Sequence, residues 1–369
     1  VDYCEKEKSY LRETFSQPFG RSFYRHGIIM FPQEPSLEGL GDFLCSDEPL
    51  EKWMPWIRLQ FESRSALHAA VEDDAVPYIS LATHTGVFAA AFGCAIHVYS
   101  DVKPYTPASA IPRIHSVKEA DALVEELESG RLKLSLNTKE FDRYFGLVDL
   151  VIREFGPDVP IGPVDIQSPF GIAAQIWEKG DFMMALYDEY PEVKILIHSA
   201  EKLLVNYLRE FKSYIPSPAF CHWPYIWTDP TQGLWLSEDD IGIISPEMFK
   251  KWVLPSLERL SAEFGGLFMH CCAAADHQHQ NLLSVSGFRG INRLTEYSAM
   301  GMGPALQDFA GHLPIISNPI TEAESLLWLD EAPEDSMFIF TLRSRNIEDA
   351  KAIFSRMRLT LDNHPPIHP

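Results

Sequence analysis

Basic charge is scarce in this sequence: 31 lysines and arginines stand against 52 aspartates and glutamates, a balance of −21 over 369 residues. A surface that acidic repels phosphate backbones and anionic lipid heads, so nucleic acid and membranes are disfavoured as partners. Long apolar runs are missing too. The longest, VFAAAFGCAIHVY from Val87, is broken by Gly93 and His97 and is too short to span a bilayer. The opening VDYCEKEKSY is charged and carries no apolar core of a signal peptide. There are six cysteines, none in C-x-x-C spacing, so neither a disulfide scaffold nor a zinc knuckle is expected. Cys4, Cys45, Cys94 and Cys221 are scattered and Cys271 and Cys272 are adjacent; they read as reduced thiols of a cytoplasmic protein. No linker, repeat or low-complexity tract divides the chain, although prolines number 27. A dinucleotide fingerprint is absent as well, since GMGPAL from Gly301 lacks the third glycine and follows no clear strand.

What is present is an ordinary globular composition, 46% hydrophobic and 22% charged, enough for a sizeable core. The first 75 residues read as irregular, with one helix near Trp56 to Val71. From Val76 short apolar runs alternate with longer helical patterns. The strand candidates are VPYISLA (from Val76), VPIGPVDI (Val159), PAFCH (Pro218), GLFMHCC (Gly266), FRGINRL (Phe288), LPIISN (Leu313) and MFIFTL (Met337). Helical spacing is clearest from Pro191, from Ser245 and from Asn346. Serial strand–helix units imply a parallel sheet, because parallel neighbours need helical crossovers. The expected architecture is an α/β fold, a (β/α)8 TIM-type barrel over residues 76–369 with residues 1–75 packed on it as an N-terminal extension; an open doubly wound sheet is the alternative.

In such barrels the site forms where strands end. That rule selects His84, Asp165, His222, Asn318 and Arg343 at strand ends. It also selects the acidic run Glu238-Asp239-Asp240 and the pair His270 and Cys272. At i and i+2 on one strand, His270 and Cys272 face the same way, so imidazole and thiolate can converge on a metal ion, with Cys271 turned into the packing. The competing reading is a packed histidine beside buried cysteines. One carboxylate of the acidic run can turn inward for proton transfer, or all three can decorate a solvated turn. Trp223, Tyr225, Trp227 and Trp235 either cap the barrel mouth or form a stacking wall for a flat ligand. Asp276, His277 and His279 in DHQHQ resemble a second metal cluster, but at a helix start the histidines are expected to face solvent or bond the backbone.

Four segments together resemble the uroporphyrinogen decarboxylase superfamily, which includes corrinoid-dependent methyltransferases that use zinc. IGPVDIQSPFGIAAQIWEKGDFMMALYDEYPEVKILI is similar to the segment in which a Gly-Pro strand end leads to helices. LSEDDIGIISPEMFKKWVLPSLERLSAEFGGLFMHCCA is similar to the stretch from an acidic pair to H-x-C. LATHTGVFAAAFGC and LPIISNPI resemble an early strand with its turn and a later strand ending in Asn. The likeness covers roughly residues 70–360. An N-terminal Arg-rich segment typical of the decarboxylases is not matched, since Arg21 and Arg25 stand in a different context, FGRSFYRHG. The H-x-C pair resembles the methyltransferase branch, although Ala273 replaces the usual glycine and the last strands supply no third cysteine.

The resemblance implies a methyltransferase that moves a methyl group between a corrinoid protein and a small thiol or folate acceptor. Zinc would be held by His270, Cys272 and, as third donor, Glu296, with Cys221 as the reserve. Asp239, Asp240 and His222 are the expected catalytic groups. His84, Asp165, Trp223, Trp227, Asn318 and Arg343 are expected to bind substrate. The alternatives are a decarboxylase of a pyrrolic or aromatic acid, with Asp239 steadying positive charge, and a non-catalytic binding barrel.

Overall fold

The structure is a computed structural model; it describes residues 4–16, 25–33, 40, 42–81, 83–99, 107–294 and 301–364. Its centre is a six-stranded, wholly parallel sheet. The strands are β1 (Gly27–Phe31), β4 (Leu234–Ser237), β5 (Leu267–Cys271), β6 (Phe288–Arg293), β7 (Ile315–Ile320) and β8 (Phe338–Arg343), in spatial order β1-β8-β7-β6-β5-β4. Two short strands, β2 (Ala95–His97) and β3 (Ser109–Ile111), form a separate antiparallel pair. Helices fill the connections, among them Pro191–Tyr214, Leu254–Phe264 and Ile347–Asp362, which answer to the expected helical stretches. Among the described residues, no helix is long and apolar enough to cross a membrane, and all six cysteines are free thiols.

Four of the expected strands form as regular ladders: GLFMHCC, FRGINRL, LPIISN and MFIFTL. The other three, from Val76, Val159 and Pro218, contribute isolated parallel bridges, Ile79 to Ile161, Ile161 to Pro218 and Gln167 to Ser237. Their sequences give the reason. Pro77, Pro160, Pro163 and Pro218 each lack the N–H that a continuous ladder requires. Regular pairing therefore does not run from β4 round to β1. Single backbone bonds cross that stretch, including Ser237 N–H to Ile166 O (2.7 Å), Ala219 N–H to Ile161 O (2.9 Å), Gly162 N–H to Ile79 O (2.8 Å) and Asp74 N–H to Ile28 O (2.9 Å).

Besides the β2–β3 pair, two strands of the main sheet lie where none was expected. β1 falls in the first 75 residues, yet it pairs with β8 from Gly27↔Ile339 to Phe31↔Arg343, so that stretch is not merely an extension packed on the sheet. β4 sits inside the aromatic loop after His222. Both are short apolar runs opened by a glycine, a pattern that fits a buried strand. Gly233 before β4 and Gly266 before β5 pass within contact of each other at φ of 132° and 147°; a Cβ on Gly233 would lie 2.5 Å from the Gly266 carbonyl carbon. Only glycine allows that approach.

The core has two parts. A large cluster lies between sheet and helices. A smaller one gathers single residues from one face of nearly every strand: Ile29, Tyr78, Ala219, Trp235, Phe268, Ile316 and Ile339. Trp235 stacks on Phe268 at 5.1 Å. On β6 this face carries Gly290, whose absent side chain leaves room for Phe268 and Ile316. From below, the helix Glu5–Thr14 and the residue after it insert Leu11 and Phe15, the latter edge-on to Phe268 at 4.8 Å.

Candidate functional site

Side chains alternate along a strand, so two residues beyond each member of that apolar layer comes another residue on the same face. Two beyond Trp235 is Ser237; two beyond Phe268 is His270; two beyond Gly290 is Asn292. Ser237, His270 and Asn292 are direct neighbours in register. An apolar floor thus carries a polar layer toward the C-terminal ends of the strands.

His270 Nδ1 is 2.6 Å from Asn292 Oδ1, and the Asn292 amide donates to Ile316 O at 2.7 Å. With the amide so oriented, its oxygen accepts, so Nδ1 of His270 carries the proton and Nε2 of the neutral ring presents a lone pair. Burial lowers the His270 pKa, opposed by the Asn292 bond and the nearby Asp239 charge. His222 Nε2 bonds Ser237 Oγ at 2.8 Å and lies 3.8 Å from Asp165 Oδ1. Burial, helped by His270, brings its pKa down to about 3, so His222 stays neutral. Asp165 is pushed up to about 6 by burial, with Gln167 Nε2 donating to it at 2.5 Å and Asp239 adding repulsion. Asp239 Oδ1 accepts the Cys272 N–H at 2.6 Å, which fixes the turn after β5. Burial and that carboxylate raise the Cys272 thiol to about 12. Asp165, His222, Asp239, His270 and Cys272 therefore come together.

Of the acidic run, the residue that turns inward is Glu238. It is fully buried, bonds Ser168 Oγ and accepts the Asp240 N–H at 2.8 Å. Burial first, then the charges of Asp240 and Asp239, push it up to about 8. Asp240, expected to be catalytic, is instead ion-paired with Lys179 on the surface side.

Trp223 and Asn318 meet at the rim, the indole N–H donating to Asn318 Oδ1 at 3.0 Å. Both line a groove of about 990 Å3 together with Phe31, Arg293 and Arg343. Trp227 corrects an expectation. It lies in the apolar layer, 4% exposed, between Lys8 and Arg12 of the N-terminal helix at 5.8 and 5.4 Å, because its loop folds back under the sheet rather than over the mouth. His84 is a second correction. Thr83 Oγ1 accepts the Asp165 N–H at 2.6 Å, but the next side chain turns away, and buried His84 lies with Asp42 and Cys45. Glu296 falls outside the described residues. Among those described, neither His270 nor Cys272 belongs to a three-donor cluster. In DHQHQ, His277 bonds Ile244 O at 2.9 Å and Asp276 holds Arg293 at 2.9 Å, so these residues brace loops. Ser237 and Asn292 were not anticipated; the period-two alternation from His270's neighbours was the signal that could have found Asn292.

No family model and no curated protein matches this sequence. In fold, the chain is similar to a methyltransferase from Methanosarcina mazei. The likeness has a TM-score of 0.61 at 12% identity and spans 95% of this chain and 99% of that one. At that identity it is a likeness of architecture.

Proposed function

We propose that this chain is a methyltransferase built on a closed barrel, moving a methyl group between a corrinoid presented by a partner protein and a small thiol or folate acceptor. The observation that carries the reading is the His270–Asn292 pair. A buried amide fixes the imidazole tautomer so that Nε2 offers its lone pair, and Cys272 stands two residues on. Metal-binding histidines are oriented in this way. His270 and Cys272 would hold zinc, with Glu296 as the third donor; when bound, the ion would lower the pKa of an acceptor thiol. The remaining work falls to the chain's own groups. Asp239 anchors the Cys272 backbone. Asp165, with a pKa near neutrality at about 6, is the group placed to take up or release a proton. The Trp223–Asn318 rim and Arg343 offer stacking and a cation to an acceptor with a flat ring and a carboxylate.

The test is transfer from methylcobalamin to a small thiol, or to a reduced folate, followed by the loss of the methylcobalamin absorption. With zinc loaded, wild type should turn over, and Cys272→Ser should lose one equivalent of metal and about a hundredfold in rate, because a hydroxyl is a poor zinc ligand. Equal metal content and equal rate in wild type and Cys272→Ser would overturn the zinc reading. Turnover with neither acceptor would overturn methyl transfer in favour of a decarboxylase or a binding barrel.

A further inference from the structure

A second set of metal-capable side chains lies outside the polar layer, where the N-terminal helix meets the helix Met54–Val71. Cys4 flanks the first turn of the helix Glu5–Thr14, and Glu7 stands three positions on, so their side chains share a face. His68 comes from the last turn of Met54–Val71. The donor atoms of Cys4, Glu7 and His68 lie within 4.8 Å of one another, and His68 Nε2 is 3.8 Å from Cys4 Sγ.

The other ring nitrogen decides what the cluster can do. His68 Nδ1 is 2.8 Å from Asp73 Oδ1. An ionised carboxylate only accepts, so Nδ1 carries a proton. The same Asp73 bond raises the His68 pKa, so Nε2 is protonated too in the free site and must give up that proton before its lone pair can face an ion beside Cys4 and Glu7. Asp73 is 2% exposed and is itself pinned by the Met30 N–H at 2.5 Å. A carboxylate behind a histidine, with a thiol in front of it, is how ligating histidines are oriented. The cluster of Asp42, Cys45 and His84 differs at this point. There the Gly86 N–H donates to His84 Nδ1 at 3.1 Å, which leaves the proton of the neutral ring on Nε2, the nitrogen free to face its neighbours.

We propose that Cys4, Glu7 and His68, oriented by Asp73, form a binding site for a divalent zinc-class cation that staples the N-terminal helix to the helix Met54–Val71. The Cys4 thiol proton and the His68 Nε2 proton both leave to solvent as the Sγ–metal and Nε2–metal bonds form. Thiolate and carboxylate then balance the charge of the ion, and imidazole adds a neutral donor. Mixed S, N and O donors select zinc over magnesium or calcium. All three side chains are half-buried, so an ion can enter and a fourth position stays open to water. Because the same helix carries Leu11, and Phe15 follows directly, the ion would hold in place the plug beneath the apolar floor.

The experiment uses the whole chain, stripped with chelator and reloaded with zinc, or with cobalt(II) as a spectroscopic stand-in. Zinc should protect Cys4 from iodoacetamide in wild type, read by mass spectrometry as at least a tenfold slower alkylation. Cobalt should give a near-ultraviolet thiolate charge-transfer band, and the share of it that belongs to this site should be lost in Cys4→Ser and retained in Cys272→Ser, where it should be the whole band. Glu7→Gln should weaken zinc binding at least tenfold. Alkylation of Cys4 at the same rate with and without zinc would overturn the proposal, and so would bound metal that follows Cys272→Ser alone. Metal at the mouth is read separately through Cys272, so either site can fail without the other.

Discussion

Replacing Glu238 by glutamine isolates the cost of burying one charge. Glu238 is fully buried against Ser168 and the Asp240 N–H, and its pKa stands at about 8 in the fold against 4.5 for an ordinary glutamate. A carboxyl whose pKa is raised by folding is protonated at no penalty below 4.5, where both states hold the proton. Between 4.5 and about 8 the unfolded chain ionises while the native chain does not, so stability falls as pH rises. Above about 8 the full cost is present. Each pH unit of that window is worth about 1.4 kcal/mol, so the ceiling is on the order of 5 kcal/mol, and 3 kcal/mol is a fair expectation once native relaxation is allowed for. Glutamine has the shape and the donor of the protonated acid and no charge to bury. Glu238→Gln should therefore match wild type near pH 4 and be more stable by about 3 kcal/mol near pH 9. Urea unfolding followed by circular dichroism at half-unit pH steps gives the difference curve directly. A difference that stays flat from pH 4 to 9, or one that favours wild type at high pH, would refute the assignment of Glu238 as the buried member of the acidic run.

Two further outcomes follow from packing. Gly266→Ala should lose more than about 2 kcal/mol and lower the thermal midpoint, because its Cβ would meet Gln232 O at 2.5 Å at a φ of 147°; an unchanged melting curve would mean the β4–β5 approach is looser than described. Trp227→Ala should cost about 3–5 kcal/mol of stability while leaving the acceptor KM of the refolded enzyme unchanged, whereas Trp223→Phe should raise KM with little loss of stability, since Trp227 fills the apolar floor and Trp223 the rim; parallel melts and initial-rate measurements separate the two.

The sequence by itself determined the elements whose signal is local. Period-two apolar runs with few breakers became β5 to β8, and the helical spacing from Pro191 became one 24-residue helix. What tertiary structure decided is which side chains those elements meet. Proline-bearing runs at Val76, Val159 and Pro218 look apolar and extended, but without their N–H groups they make bridges rather than ladders. β1 is five residues long and is a strand only because β8, over 300 positions away, offers it a partner. Trp223 and Trp227 are four residues apart in one aromatic loop, and nothing in their order says that one reaches the rim and the other the floor; the fold of the loop around β4 separates them. The same holds for Glu238 against Asp239 and Asp240, three adjacent carboxylates of which one is buried, one caps a turn and one pairs with Lys179. Local pattern fixes where a side chain can point along its own element, and burial and hydrogen-bond partners come from chain segments that sequence order does not bring together.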